Sequence, residues 1–215
     1  MHPWPTTVEE AEELQRRLRP LVRLDGPDSF ATVAGLDVHY RGDDELSAAV
    51  VVLDSRSLKV VDQALVHGEA AFPYVPGLFA FREVPALLEA LERLSRPPEL
   101  LVCDGHGLAH PRRFGLACHL GVVTGLPAIG VGKTAFVGEY EDPAPARGSW
   151  TPIRLEGEVV GRVLRTQWSV RPVFVSPGHR VSLDVACDQV LRLAPNYRLP
   201  EPIRLADHLA RYGPA

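Results

Sequence analysis

Two short apolar segments of this sequence each carry a single aspartate. The first runs from Thr32 to Val38 and contains Asp37, and the second, Leu100–Gly105, ends in Asp104 and a glycine. Aliphatic and β-branched residues bounded by turn-forming residues predict buried strands. A carboxylate in such a strand is costly unless another group neutralises it. The two strands are therefore expected to bring their aspartates to one shared partner.

A divalent cation is the natural partner for such a pair. Mg²⁺ accepts one or two carboxylates, keeps several waters and takes its remaining ligands from substrate phosphates. Alternatively, each aspartate pairs with an arginine or caps a turn. Glu83 adds a third acid, because it precedes Val84–Leu91, where apolar residues recur at helical spacing. At the start of a helix it either joins the aspartates or simply opposes the helix dipole.

The segment Phe72–Gly77 predicts a rigid aromatic tip. Pro73 and Pro76 restrict the backbone on both sides of Tyr74, and Gly77 permits a turn. A ring held out in this way costs little entropy when it binds and can replace a base in a stack. Beside gathered carboxylates, it indicates a metal-dependent nuclease that pries into a duplex. The alternative is a stiff surface turn whose tyrosine packs on a neighbour.

Composition excludes several classes of protein. With 215 residues, of which 46% are hydrophobic and 23% charged, the chain is long enough for one domain with a sizeable core. No apolar run is long enough to cross a bilayer, and the N-terminus lacks the layout of a secretion signal. We therefore expect a cytoplasmic protein that does not bind membranes. Three widely spaced cysteines argue against a disulfide framework or a zinc knuckle and favour small buried hydrophobes.

The charge pattern leaves room for a nucleic-acid surface. The net charge is −4, but the balance is −7 through residue 100 and +3 in the remainder. Candidates for tracking phosphates are Arg147, Arg154, Arg162, Arg165, Arg171 and Arg180. Ordinary surface arginines are an equally good interpretation.

Periodicity predicts an alternation of strands and helices. A capping box at Thr7–Glu10 begins a helix that ends near Arg19, and Ser182 begins another that ends at Leu193. Further helices are predicted at about 84–94 and from Ala109 to Gly121. Strands are predicted at about 31–40, 46–54 and 58–66, antiparallel in succession, then at 100–104, 128–131, 150–154, 159–164 and 173–175.

Four motifs, in order, identify a family. They are Gly35–Val38, then Pro73–Gly77 with Phe81–Glu83, then Asp104-Gly105-x-Gly107-x-x-His110-Pro111-Arg112, and Gly130-Val131-Gly132-Lys133. Together they resemble endonuclease V over nearly the whole chain, through Ser176–Ser182 and beyond. The resemblance implies one α/β domain over residues 1–215. Its fold would be ribonuclease-H-like, with a mixed central sheet flanked by helices on both faces.

The resemblance also implies a function. A magnesium-dependent DNA repair endonuclease would recognise deoxyinosine and nick the lesion strand at the second phosphodiester on its 3′ side. The products would carry a 3′-hydroxyl and a 5′-phosphate, and Mn²⁺ would be able to replace Mg²⁺. Expected partners are inosine-containing DNA and, as alternatives, inosine-containing RNA or single strands. Rival interpretations are a nuclease acting mainly on RNA inosine or branched junctions, and a non-catalytic inosine-binding module.

Roles for individual residues follow from the same resemblance. Asp37, Asp104 and Glu83 are the expected metal ligands, and Lys133 is the fourth catalytic residue. The expected substrate-binding residues are Tyr74, Pro76, Gly77, Gly107, His110 and Leu116. Near the C-terminus, either Asp207 or His208 is available to join the site.

Overall fold

The computed structural model describes residues 2–214, so Met1 and Ala215, the ends of the expected 1–215 domain, lie outside the described residues. The strands are β1 (Thr32–Arg41), β2 (Glu45–Asp54), β3 (Val60–Glu69), β4 (Leu100–Asp104), β5 (Ala128–Gly132), β6 (Trp150–Leu155), β7 (Glu158–Leu164) and β8 (Val173–His179). The helices are α1 (Val8–Leu18), α2 (Ala80–Glu92), α3 (Leu116–Thr124), α4 (Leu183–Leu193) and α5 (Glu201–Tyr212).

All eight strands form one mixed sheet in the order β3-β2-β1-β4-β5-β8-β7-β6. β1, β2 and β3 are antiparallel in succession, as predicted, whereas β4 lies parallel to both β1 and β5. In the β1–β4 register the last aligned pair is Leu36 with Cys103. Asp37 and Asp104 each follow by one residue, so they come side by side on the same face of the sheet.

The sheet is buried on both faces, which explains the continuous apolar runs in its central strands. In β4, Leu100 and Val102 pack toward the core beneath α4 and α5. Leu101 and Cys103 point the other way, into the core beneath α2 and α3. A mixed sheet with helices on both faces confirms the ribonuclease-H-like α/β fold.

The N-termini of two helices confirm the capping predictions. The Thr7 side chain accepts a hydrogen bond from the Glu10 backbone, and the Glu10 carboxylate accepts one from the Thr7 backbone in return. The Ser182 hydroxyl likewise accepts a hydrogen bond from the backbone of Val185 at 3.2 Å. Each cap satisfies amide groups that have no partner inside the helix.

Two predicted helices need correction, and a third helix was missed. α2 begins at Ala80 rather than near 84, which places Glu83 in its first turn. The helix predicted from Ala109 begins only at Leu116, because Pro111 and a left-handed Arg113 (φ 54°) interrupt the segment before it. α5 was not predicted as a helix at all, although it packs Ile203 and other apolar side chains against β1 and β2.

The three cysteines lie in the interior of the protein. Cys103, Cys118 and Cys187 are free and buried, which confirms their role as small hydrophobes.

Among the residues that the structure describes, no helix combines the length and the apolar character needed to cross a bilayer.

Gly35 in β1 allows the start of α5 to pack closely against the sheet. A Cβ atom at position 35 would lie 2.0 Å from the Pro202 carbonyl oxygen, whereas one at Gly68 in β3 would meet nothing within 4 Å. We expect Gly35→Ala to lower the free energy of unfolding by about 2 kcal/mol through overpacking. Gly68→Ala should change it by less than about 0.5 kcal/mol. Urea denaturation of both variants measures this difference, and equal effects would contradict it.

Candidate active site

Ionisable side chains from separate elements line one cleft of about 480 Å³. Asp37 comes from β1, Glu83 from the first turn of α2, Asp104 from the end of β4, and Asp207 from α5; Lys133 directly follows β5. The cleft therefore brings together the three expected metal ligands and the expected catalytic lysine, which are far apart in sequence.

The carboxyl groups in this cleft are held close together at an electrostatic cost. Burial, together with the negative charge of Asp104, raises the pKa of Asp37 to about 8. Glu83 is buried as well, and this burial, reinforced by Asp37 and Asp104, raises its pKa well above the ordinary value. Such shifts mark a place where negative charges need a counter-charge, and they are typical of functional sites.

Lys133 supplies part of that counter-charge. Its ammonium group donates to Oδ2 of Asp104 in a direct ion pair. Burial acts to lower the pKa of Lys133, but the Asp104 carboxylate outweighs it and raises that pKa. Lys133 therefore stays protonated at neutral pH. Its charge also acts on Asp37, and that of Arg82 acts on Glu83, but neither cation outweighs the burial of these two acids.

The donors in the cleft suit a hard divalent cation, although they do not form a closed cage. Within residues 2–214, no three Asp, Glu, His or Cys side chains stand close enough together to enclose an ion. Mg²⁺ does not require such a cage, since it uses few protein carboxylates and completes its shell with water and phosphate oxygens. Burial and the neighbouring carboxylates make it costly for Asp37 and Glu83 to be ionised, and this cost is the observation that fits a cation.

Asp207, rather than His208, lines the carboxylate cleft. Its carboxyl group is close enough to Asp37 for each to shift the pKa of the other. Burial favours the neutral form of Asp207, but the Arg211 guanidinium, which donates to it at 2.7 Å, brings a net lowering of its pKa. His208 packs instead against the ring of Tyr212, with ring centroids 5.0 Å apart.

Tyr40 also borders the site, and the sequence interpretation did not include it. Its hydroxyl donates to Oε1 of Glu83 at 3.3 Å. The neighbouring Arg82 is buried and serves the loops: it donates to the carbonyls of Phe72 at 2.7 Å and Asp43 at 2.6 Å. Tyr40 lies three residues after Asp37, so the two side chains start from opposite faces of β1. Its contact with Glu83 depends on where α2 packs, and the local sequence gave no signal of it.

A second cleft of about 340 Å³ adjoins the first, and the two share Tyr74 and Phe79. Five of the six residues expected to bind substrate line it, namely Tyr74, Pro76, Gly77, His110 and Leu116. Gly107 does not line it. Its amide donates to the Ser176 hydroxyl at 2.8 Å, and a Cβ there would lie 2.0 Å from the Pro177 carbonyl oxygen. Gly107 is thus a close-packing position behind the cleft.

Tyr74 stands at the rim where the two clefts meet. Its side chain is 70% exposed, and its only ring contact among the described residues is an edge-on packing with Phe79, with centroids 6.3 Å apart. The predicted rigid aromatic tip is therefore presented to solvent and not packed into the protein.

His110 lines the second cleft, but both of its ring nitrogens are already engaged. Nδ1 accepts a hydrogen bond from the Arg112 amide at 3.1 Å, so the proton must reside on Nε2, which donates to the Gly77 carbonyl at 2.9 Å. Burial lowers the pKa of His110 to about 4, which keeps the ring neutral. Its position suits it to shaping the cleft more than to contacting a phosphate or the metal shell.

His106 forms the opposite wall of the second cleft together with Phe136. The two rings stack with an interplanar angle of 26°. A Cβ at position 132 would lie 2.3 Å from Cε1 of His106, so the glycine before Lys133 makes room for the imidazole. The Gly-x-Gly-Lys motif thus shapes the wall as well as placing the lysine.

Four of the six arginines considered for phosphate tracking are engaged within the protein. Arg147, Arg165 and Arg180 donate to main-chain carbonyls at 2.6–2.9 Å. Arg162 pairs with Asp184 at 2.6 Å. These four arginines hold loops and strands together, as the alternative interpretation of ordinary surface arginines supposed.

Known proteins with a similar sequence and structure belong to one family. A family model described as Endonuclease V matches residues 13–208. Endonuclease V of Streptomyces avermitilis is 56% identical over 212 residues, covering 97% of this chain and 93% of that one, and its crystal structure superposes with a TM-score of 0.93. Human ENDOV is 34% identical, with a TM-score of 0.88 and coverage of 95% of this chain and 97% of its own.

A further solved structure contains nucleic acid. It is Endonuclease V of Ciona intestinalis in complex with a 24mer DNA containing an inosine followed by a ribo-adenosine. That protein is 26% identical to this chain, with a TM-score of 0.82 and coverage of 95% and 96%. The acidic cleft, the motifs and the full-length matches lead to one conclusion: the chain belongs to the Endonuclease V family of DNA repair nucleases.

Proposed function

We propose that this protein is a magnesium-dependent endonuclease that recognises deoxyinosine in DNA. It nicks the lesion strand at the second phosphodiester on the 3′ side and leaves a 3′-hydroxyl and a 5′-phosphate. The observation that carries the proposal is the pair of adjoining clefts, one acidic and one of a size for a base, joined at Tyr74. The inosine in the Ciona intestinalis complex supports the choice of base.

Asp37, Asp104 and Glu83 are the proposed metal ligands, and Asp207 adds a further carboxylate to the same cleft. Mg²⁺, or Mn²⁺ in its place, would polarise the scissile phosphate and lower the pKa of a bound water. Tyr40 holds the Glu83 carboxylate through its hydroxyl, and Arg211 does the same for Asp207. Their hydrogen bonds keep both acids directed into the cleft.

Lys133 has a distinct proposed role. Its protonated ammonium group pairs with Asp104 in the absence of substrate. When a phosphate enters the cleft, the same positive charge is available to neutralise it or to orient the attacking water. A lysine rather than an arginine suits this task, because an ammonium group on a flexible stem can change partners.

Selection of the lesion begins at Tyr74. The exposed ring takes the place of the extruded nucleotide in the stack, and the extruded base enters the second cleft. Extrusion costs only a few kcal/mol and costs least for a mispaired or damaged base, which gives part of the selectivity. Gly77, Gly105 and Gly115 line that cleft and let the backbone approach the base closely. The amides of Gly105 and Gly115 already donate to the Val131 and Gly107 carbonyls, so the amide of Gly77 is the one proposed to read the edge of hypoxanthine.

We propose that residues 1–215 act as one domain and that the protein works in the cytoplasm. The acidic cleft draws on β1, α2, β4 and α5, so it needs at least residues 37–211.

Matched oligonucleotides test the proposed function. We expect nicking of DNA duplexes with one deoxyinosine, at the second phosphodiester 3′ to it, with Mg²⁺ and not with a chelator. Undamaged duplexes should remain uncut. RNA and branched substrates of the same sequence serve as comparisons: faster cleavage of either would favour the rival nuclease. Tight inosine binding without any cleavage would favour the binding module.

Replacement of one carboxylate separates the metal from the fold. We expect Asp37→Asn to lower the nicking rate about a thousand-fold, equivalent to about 4 kcal/mol of lost transition-state stabilisation. Mg²⁺ should raise the thermal unfolding midpoint of the wild-type protein, but not that of Asp37→Asn. Asp188→Asn, at an exposed position on α4, is the matched control. A full Mg²⁺ response from Asp37→Asn would place the ion elsewhere.

The pH dependence of stability gives a second readout on the same variant. In the metal-free protein the pKa of Asp37 is raised from 3.8 to about 8 by folding. Between these values the unfolded chain has lost the proton that the folded protein keeps, so Asp37 makes the free energy of unfolding fall as pH rises. Asp37→Asn should therefore show a shallower decline across this range in urea titrations.

A further inference from the structure

The carbonyl oxygen of Gly77 accepts three hydrogen bonds, although it has only two lone pairs. The donors are Nε2 of Gln15 at 3.0 Å, Nε2 of His110 at 2.9 Å and Nη2 of Arg112 at 2.9 Å. The arginine contact is charge-assisted and therefore among the stronger kinds of hydrogen bond. A main-chain group held from three sides has little freedom to move.

Gln15 connects this carbonyl to α1, which otherwise lies outside both clefts. The side chain is fully buried, and its Nε2 also donates to the Phe114 carbonyl at 3.1 Å. Its Oε1 accepts a hydrogen bond from Nε of Arg112, whose Nη1 pairs with Glu12 at 3.0 Å. Every polar atom of the Gln15 amide is thus engaged, which fixes the direction of the amide.

The loop that carries Tyr74 is consequently anchored at both ends and free at its tip. At the first end, Arg82 donates to the Phe72 carbonyl at 2.7 Å. At the second end, the three donors hold Gly77, whose φ of +82° is in the left-handed region. A Cβ at this glycine would also lie 2.8 Å from Nη2 of Arg112.

We propose that Gln15 is a positioning residue for the Tyr74 loop. Through the Gly77 carbonyl it fixes the direction in which Pro73–Pro76 presents the tyrosine ring to a duplex. The inference rests on the proposed function, since an inserted ring must resist the tendency of the bases to restack. A single strand offers no such stack, so Gln15 matters most on double-stranded substrate.

Two glutamine variants test this role. Gln15→Met keeps the length and volume of the side chain but removes its donors to Gly77 and Phe114. Gln189→Met is the control: Gln189 is also buried, on α4, and donates to the Asp28 carbonyl at 3.4 Å away from both clefts. Single-turnover nicking is measured on deoxyinosine in a duplex and in a single strand of the same sequence, over a range of enzyme concentrations.

At sub-saturating enzyme, we expect Gln15→Met to lower the nicking rate on duplex, relative to that on the single strand, by about 10-fold to 100-fold. Small misplacements of a group that positions the substrate cost this much. The loss should appear mainly as a higher enzyme concentration needed for the half-maximal rate on duplex. Tyr74→Ala should show the same change. Gln189→Met should leave the ratio of the two rates unchanged. If Gln15→Met does not fold, Gln15→Glu replaces it, since it keeps the acceptor for Arg112 and loses both donors.

An unchanged ratio of the duplex rate to the single-strand rate in the Gln15 variant would overturn the proposal. This holds whether neither rate changes or both fall equally, because an equal fall would reveal a general loss of structure. Failure of the wild-type protein to nick either substrate is a different result: it would contradict the proposed function, and this inference with it.

Discussion

The burial of several carboxyl groups side by side is the constraint on which the site depends, because burial and mutual repulsion both oppose their ionisation. Parallel pairing of β1 with β4 fixes Leu36 beside Cys103, so the next residues, Asp37 and Asp104, must lie next to each other. Buried Glu83 adds to the repulsion. A fold does not keep such charges together for stability, since paired apolar residues would cost less. The arrangement is explained by a positively charged ligand that joins the site during function.

The proposed function divides the work between the two clefts. The acidic cleft is built on strand ends and on helices packed against the sheet, so its groups sit on rigid elements. The neighbouring cleft is built on loops, and its shape depends on main-chain hydrogen bonds such as those to the Gly77 carbonyl. Tyr74 and Phe79 border both clefts. In the proposed function, any shift of the loop that carries Tyr74 would therefore change base recognition and the path of the DNA backbone toward the acids together.

The sequence predicts the central strands and the convergence of Asp37 and Asp104 in one cleft, because buried strands have a strong apolar signal and a lone charge in one stands out. Asp207 could not be chosen over His208, because the choice depends on which side of α5 faces the sheet, and α5 itself was missed. Gly107 carries the family motif, but its packing behind the cleft depends on a distant strand. Gln15 gives no local signal, since its partners are far away in the chain.

The decisive measurement is anomalous diffraction from crystals grown with Mn²⁺ and an inosine-containing duplex. A peak within coordination distance of both the Asp37 and the Asp104 carboxylates, with Lys133 released toward the scissile phosphate, is the expected result. A peak outside the acidic cleft, or an intact Lys133–Asp104 pair beside an empty cleft in a complex that cleaves DNA, would show that these carboxylates do not hold the metal.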